Sequence, residues 1–182
     1  VEQTLRPSSG QAKNKDLEII IATGDMDTLQ LVVGKRIQVY TLKKGINDTV
    51  LYDEKAVRDR YGFAPELLTD YKGLRGDPSD NIPGVPGIGE KTATDLITNF
   101  GGLDEIYKKL KKSWEPFLKK GIKERVINLL LEHEADAYFS KELGTIRRDA
   151  PVTALIQEPW HVSLERSRIE KMFDELEFRS LK

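Results

Sequence analysis

The chain contains no cysteine, which excludes disulfides and any zinc site built on thiolates. That absence fits a reducing compartment. Histidine is limited to His133 and His161. A Ser-His-Asp device needs a placed imidazole, and His133 lies near the apolar side of a helical stretch, where a satisfied structural role is the plainer one. The two Trp, Trp114 and Trp160, are expected at core or boundary positions rather than stacked on bases. No apolar run reaches the roughly 20 residues of a membrane-crossing helix, and no charged-then-apolar start reads as a signal peptide. No membrane partner is expected. An excess of one charge is lacking too: 29 Lys and Arg against 30 Asp and Glu leave a formal net charge of -1. That balance argues against a protein that coats a polyanion by bulk attraction. Residue 1 is Val rather than Met, so the chain is expected to be processed or a piece of something longer.

What is present is charge of both signs, unevenly spread over 182 residues, a length that suits one domain or two small ones. Lys108, Lys109, Lys111, Lys112, Lys119, Lys120, Lys123 and Arg125 fall in one stretch, which reads first as a solvated helix face. Acidic residues gather elsewhere, at Asp25, Asp27, Asp77 and Asp80. Leu17 to Ala22 is a short β-branched run ending at Thr23-Gly24-Asp25, the pattern of a buried, parallel strand with a loop at its carboxyl end. Ile37 to Tyr40 and Val50 to Tyr52 are further strand candidates. Asp53 caps a helix that Gly62 stops. Pro65 opens the next, with Leu67, Leu68, Tyr71 and Leu74 on one face. Gly76 to Gly89 is too broken for regular structure. Helical periods resume over Glu90 to Phe100, Leu103 to Leu110, and a longer stretch from Ile122 to Ala137. Gly144 to Arg147 suits a strand returning to the sheet. Ser163 suits the cap of a last helix with Leu164, Ile169, Met172, Phe173 and Leu176 available for burial. No internal repeat is evident.

Asp25 and Asp27 follow the first strand, where ligands collect in open α/β sheets. Asp77 and Asp80 are three apart, a spacing that shares one side of a helical turn. Carboxylates so grouped suit Mg²⁺, which takes oxygen ligands and lets a phosphate complete its shell. Each pair alone has a plainer reading: Asp25 as the cap of a helix near Met26, Asp77 as the start of a turn. Beside them, Ile82 to Ala93 is a glycine-rich turn feeding a helix. Gly87 and Gly89 let a phosphate approach the backbone, the helix-start amides favour an anion, Val85 and Ile88 pin the turn, and Lys91 adds a cation. No side chain there reads a base, so binding would ignore sequence.

The run Asp70 to Ala93, with Gly76-Asp77-Pro78-Ser79-Asp80-Asn81 and Gly84-Val85-Pro86-Gly87-Ile88-Gly89-Glu90-Lys91-Thr92 at its centre, resembles the 5′-nuclease (5′→3′ exonuclease) domain of bacterial DNA polymerase I, within the flap-endonuclease family. Thr23 to Leu31 resembles that family's earlier acidic motif, and Phe173 to Leu181 its end. The resemblance implies an α/β fold: a partial PIN-like 5′-nuclease layer, then a helical subdomain with a helix-hairpin-helix (helix-3-turn-helix) motif. The expected divisions are an unplaced leader over 1–16, the partial layer over 17–64, the DNA-binding subdomain over 65–140, and a strand and helix returning to the layer over 141–182. It implies an enzyme that hydrolyses DNA at 5′ ends, nicks or flaps with two divalent ions, Mg²⁺ or Mn²⁺, in primer removal and repair in the bacterial cytoplasm, associated with the nucleoid. Asp25, Asp27, Asp77 and Asp80 would bind the second metal. Gly84, Val85, Gly87, Ile88, Gly89, Lys91 and Thr92 would hold duplex backbone, with K⁺ at the hairpin carbonyls.

The chain departs from that family in lacking its first half, which carries further acidic residues and a helical arch. Met26 stands where relatives usually have a basic residue, and Gly73 where they have a better helix former. Catalysis is therefore expected to need residues outside this chain, and the expected partner besides DNA is a covalently following polymerase domain or the missing N-terminal nuclease half. The alternative is a non-catalytic, sequence-independent duplex-binding module using the hairpin and the stretch from Lys108 to Arg125.

Overall fold

The computed structural model describes residues 17–43, 48–152 and 165–178. Strand β1 (Ile19–Ala22) pairs in parallel with β2 (Ile37–Leu42), which pairs antiparallel with β3 (Thr49–Tyr52). Ile19 lies opposite Ile37 and Val39 opposite Tyr52. The alternation of β2 sets its faces: Ile37, Val39 and Thr41 are buried, while Tyr40 and Leu42 are exposed beside Leu51 of β3. A 3₁₀ helix over Met26–Leu31 links the parallel strands and puts Leu29 into the core.

Local chemistry sets most helix ends. In α1 (Glu54–Tyr61) the Asp53 carboxylate accepts the Ala56 N–H at 2.8 Å, and Gly62 closes the helix at φ +84°. A 3₁₀ turn over Pro65–Leu67 leads into α2 (Leu68–Arg75), which buries Leu68, Tyr71 and Leu74. Helix α3 (Glu90–Phe100) buries Ala93, Leu96, Ile97 and Phe100, one face at helical spacing. Helix α4 (Leu103–Leu110) follows after Gly101 and Gly102, then α5 (Glu115–Lys119), α6 (Glu124–Glu132) and α7 (Glu134–Leu143). Phe100 stacks on Phe117 with ring centroids 4.0 Å apart, tying α3 to α5. Helix α2 runs close against α7: a Cβ on Gly73 would stand 2.8 Å from the Ala137 carbonyl oxygen. The buried Asp70 side chain accepts the Leu103 N–H at 2.8 Å and the Lys141 ammonium at 2.7 Å, joining α2 to α4 and α7.

The layout is α/β, strands first and helices after, with three departures from the sequence reading. The single long helix expected from Ile122 to Ala137 is two helices, broken at His133, whose backbone leaves the helical region and whose Nδ1 meets Asp136 Oδ2 at 2.7 Å. Leu130 and Ala137 are buried on either side of the break at a spacing that a straight helix also satisfies, so the pattern runs through the bend. Residues 144–147 form no strand. Two of their backbone groups meet a buried side chain instead: Gln30 donates to the Gly144 carbonyl at 2.7 Å and accepts the Ile146 N–H at 3.2 Å, while the Gly144 and Thr145 N–H groups donate to Ser140 O and Glu142 O. Helix α5 carries too few apolar positions to be read from pattern.

Residues 17–147, apart from 44–47, form one compact unit that holds both the expected layer and the expected helical subdomain. Residues 148–152 and α8 (Arg166–Glu175) belong to a second. In α8 no residue is fully buried; Ile169 and Phe173 are half-buried and Met172 and Leu176 exposed. The leader over 1–16, Trp160, His161, the Ser163 cap and Leu164 lie outside the described residues.

Candidate metal centre and nucleic-acid interface

Three of the four expected aspartates converge. One carboxylate oxygen from each of Asp27, Asp77 and Asp80 lies within 4.8 Å of the others. Asp27 comes from the 3₁₀ helix after β1, and the other two from the loop after α2. That loop is closed by a reciprocal backbone pair, Asp77 N–H to Ile82 O and Ile82 N–H to Asp77 O, both 2.9 Å, with Asn81 at φ +57° making the turn. The Asp77 side chain caps the short turn Pro78–Asp80, accepting the Ser79 N–H at 3.1 Å and its hydroxyl at 2.5 Å.

Asp25 stands outside this group. Its Oδ1 accepts the Asp27 N–H at 2.9 Å and caps the 3₁₀ helix, the plainer of its two readings. Capping takes one oxygen of Asp25, and the same bond holds the backbone of Asp27 in place.

Lys72 is the residue that reading the sequence missed. Its ammonium contacts Asp27, lies 2.9 Å from Asp77 Oδ2 and 3.9 Å from Asp80 Oδ2. Burial raises the Asp27 pKa, Lys72 opposes it, and Asp25 and Asp80 add to it; the balance is upward. Burial also acts to raise Asp77, but the Ser79 and Lys72 hydrogen bonds outweigh it and bring that carboxyl to about 2. Burial acts to lower Lys72, and its bonds to Asp27 and Asp77 overcome this and raise it. Three carboxylates against one ammonium leave the cluster net negative, and its donors are hard oxygens. The set fits a divalent cation such as Mg²⁺ or Mn²⁺. An adjoining cleft of about 280 Å³ is lined by Asp27, Lys72 and Asp77 together with Arg60, Arg75 and Tyr61. The two arginines carry no spacing signal that the sequence reading had used.

The hairpin residues sort by exposure. Gly84, Val85 and Ile88 are buried, whereas Gly87, Gly89 and Lys91 are exposed and Thr92 is half-buried. Gly84 sits at φ +64°, with an ideal Cβ only 2.2 Å from the Gly76 nitrogen, and its N–H donates to the buried Ser140 Oγ at 2.9 Å. Gly84, Val85 and Ile88 thus anchor the turn, with the side chains of Val85 and Ile88 in the core. The amides opening α3, at Glu90, Lys91 and Thr92, have no intrahelical acceptor, and Gly89 offers no capping side chain.

A second turn echoes the first, against the expectation of no repeat. Gly87-Ile88-Gly89-Glu90-Lys91 is matched by Gly121-Ile122-Lys123-Glu124-Arg125. Gly87 and Gly121 have φ of +85° and +79°, both isoleucines are buried, and each Glu begins a helix. Both turns face one hollow of about 390 Å³, lined by Gly87, Lys91, Thr92, Gly121, Lys123 and Arg125, with Asp95 as the acid. The Gly, Ile and Glu are identical, Lys91 and Arg125 share a charge, and Gly89 faces Lys123, too short a likeness to stand out in the sequence. Elsewhere in the basic stretch, Lys111 pairs with Glu134 and Lys119 with Glu115, each at 2.7 Å, as a solvated helix face does. Among the described residues no helix is long and apolar enough to cross a membrane.

The sequence matches the family model described as 5′-3′ exonuclease, C-terminal SAM fold, over residues 63–167. It is 39% identical over 172 residues to DNA polymerase I of Bacillus caldotenax, covering 94% of this chain and 19% of that protein. It is 38% identical over 170 residues to DNA polymerase I of Bacillus subtilis, covering 93% of this chain and 18% of that protein. The chain thus spans less than a fifth of the length of these relatives. Among solved structures the fold is similar to T5 5′-exonuclease with bound divalent metal ions (zinc), at TM-score 0.57 and 22% identity over 70% of this chain and 42% of that one. It is also similar to a T5 flap endonuclease in a pseudo-enzyme-product complex with DNA and metal ions, at TM-score 0.56 and 21% identity over 69% of this chain and 42% of that one. At those identities the likeness speaks for the fold.

Proposed function

Because this chain belongs to the 5′-3′ exonuclease family, we propose that it is a portion of a structure-specific 5′-nuclease that hydrolyses DNA at 5′ ends, nicks or flaps in primer removal and repair. The observation that carries this reading is the convergence of Asp27, Asp77 and Asp80 from two distant stretches. These three hold divalent cation, with Asp25 acting through the backbone of Asp27. Bound there, Mg²⁺ or Mn²⁺ supplies charge to stabilise the attacking and leaving oxygens of phosphodiester hydrolysis. Arg60 and Arg75 in the adjoining cleft draw the phosphodiester toward the carboxylates. Duplex backbone lies against Gly87, Gly89, Lys91 and Thr92, where open amides and the helix dipole favour a phosphate. Lys123 and Arg125 of the second turn extend that contact, and K⁺ at the hairpin carbonyls belongs to the same reading. A polymerase domain in the same protein is the proposed covalent partner.

The test is cleavage of a 5′-flap duplex in Mg²⁺. It is run with this chain alone and with the chain joined behind the segment that precedes the matching region in the Bacillus subtilis relative. The joined protein is expected to cleave, and Asp77→Ala in it to abolish turnover while binding stays equal or tightens, since a repelling carboxylate is gone. Duplex binding without cleavage in every joined form would leave the non-catalytic module in its place.

A further inference from the structure

The cation reading leaves Lys72 unexplained, and its position is specific. Helix α2 delivers it one turn before the acidic loop, with its side chain only 13% exposed. Its ammonium meets Asp27, Asp77 and Asp80 together. Its stem lies beside Gly144, where a Cβ would stand 3.3 Å from Lys72 Cδ. Three carboxylates this close repel one another unless a cation lies among them. An ammonium is a compact point charge on a flexible four-carbon stem, so it can fill that place and leave it again.

We propose that Lys72 is a built-in counter-cation that occupies the shared point between Asp27, Asp77 and Asp80, keeps them gathered without a divalent ion, and is displaced when one enters. This rests on the metal-site reading above. Lys72 is a positioning residue, one that sets how readily a cation is taken up. Two consequences follow from competition for the same oxygens. The metal-free protein stays ordered at the cluster, and an entering ion must offer more charge than the ammonium it displaces.

The experiment uses the full chain with Mn²⁺ as the probe. Free Mn²⁺ is followed by electron paramagnetic resonance and melting temperature is read in chelator and in Mn²⁺. Lys72→Met is expected to melt roughly 2–4 °C below wild type without metal, to bind Mn²⁺ about tenfold tighter or more, and to gain more melting temperature from Mn²⁺ than wild type does. Lys72→Gln reads the same affinity if the Met variant folds poorly, and Lys72→Arg, which keeps the charge, is expected to gain no affinity. Unchanged or weaker Mn²⁺ binding in both neutral variants overturns the proposal. Asp77→Asn separates it from its premise: if neither wild type nor any Lys72 variant binds Mn²⁺ in a way that Asp77→Asn removes, the metal-site reading fails first.

Discussion

Asp77 is held from three sides, by the Ser79 amide, the Ser79 hydroxyl and the Lys72 ammonium. Its folded pKa of about 2 lies below the 3.8 of the free side chain, so the unfolded chain binds its proton first. The stabilisation from Asp77 is complete above pH 3.8 and is lost as pH falls toward about 2. In metal-free buffer, denaturant unfolding followed against pH should show that slope, and Asp77→Asn should flatten it. Asp27 shifts the other way: its raised pKa makes stability fall as pH rises above 3.8, so Asp27→Asn should leave the Asp77 slope standing. Asp27, Asp77 and Asp80 stood out because the motifs that carry them resemble the family's; spacing alone favoured caps and turns, which is where Asp25 is found. Lys72 did not, because it meets Asp27 across 45 positions of chain. Gly84 shows the same contrast with a neighbour. The resemblance places it among the residues that hold duplex backbone, and its left-handed backbone and 2.2 Å clearance add a packing requirement that the motif alone does not reveal. Gly84→Ala is expected to cost about 3 kcal/mol or more by urea denaturation. Gly89→Ala, at a position with nothing within 4 Å of its Cβ, is expected to stay within about 0.5 kcal/mol.

Between elements, the crossing of α2 and α7 decides whether a residue that suits its helix also suits the fold. Alanine is a better helix former than glycine by about 1 kcal/mol, so Gly73 reads as a defect along α2. A Cβ there would meet the Ala137 carbonyl at 2.8 Å and Leu103 Cδ1 and Lys141 Cβ at 3.1 Å. The first is backbone and cannot rotate away, and overpacking of this kind costs about 1–3 kcal/mol. Packing therefore wins, and Gly73→Ala should lower the denaturation midpoint despite the propensity gain. Elements with local signals were readable along the chain, where the packing demand at Gly73 was not. Asp53 and Gly62 mark the ends of α1, and the apolar face of α3 spans Ala93 to Phe100. Where tertiary contacts decide, the signal vanishes. The bend at His133 hides behind continuous apolar spacing, and residues 144–147 read as a strand but turn their backbone groups to Gln30 and to the end of α7.

Over the whole chain, positive and negative charge nearly cancel, so any grip on DNA must come from where the cations stand. Within the basic stretch from Lys108 to Arg125, Lys111 and Lys119 are paired with acids. Lys91, Lys123 and Arg125 instead gather on one hollow from two turns of matching form, against Asp95 alone. Each cation that neutralises a phosphate releases a counterion and adds about -0.9 to the slope of log affinity against log salt. If both turns touch the backbone, Lys123→Ala with Arg125→Ala should make the slope for a nicked duplex shallower by about 2, and adding Lys91→Ala by about one more. Fluorescence anisotropy between about 50 and 200 mM salt reads this range. Duplexes of unrelated sequence should give the same slopes, since the contacts are to phosphates and not to base edges. An unchanged slope in the double variant would confine the contact to the first hairpin. The echo of Gly121 to Arg125 would then be a device for building a helix start over a buried isoleucine, a purely architectural use of the same short turn.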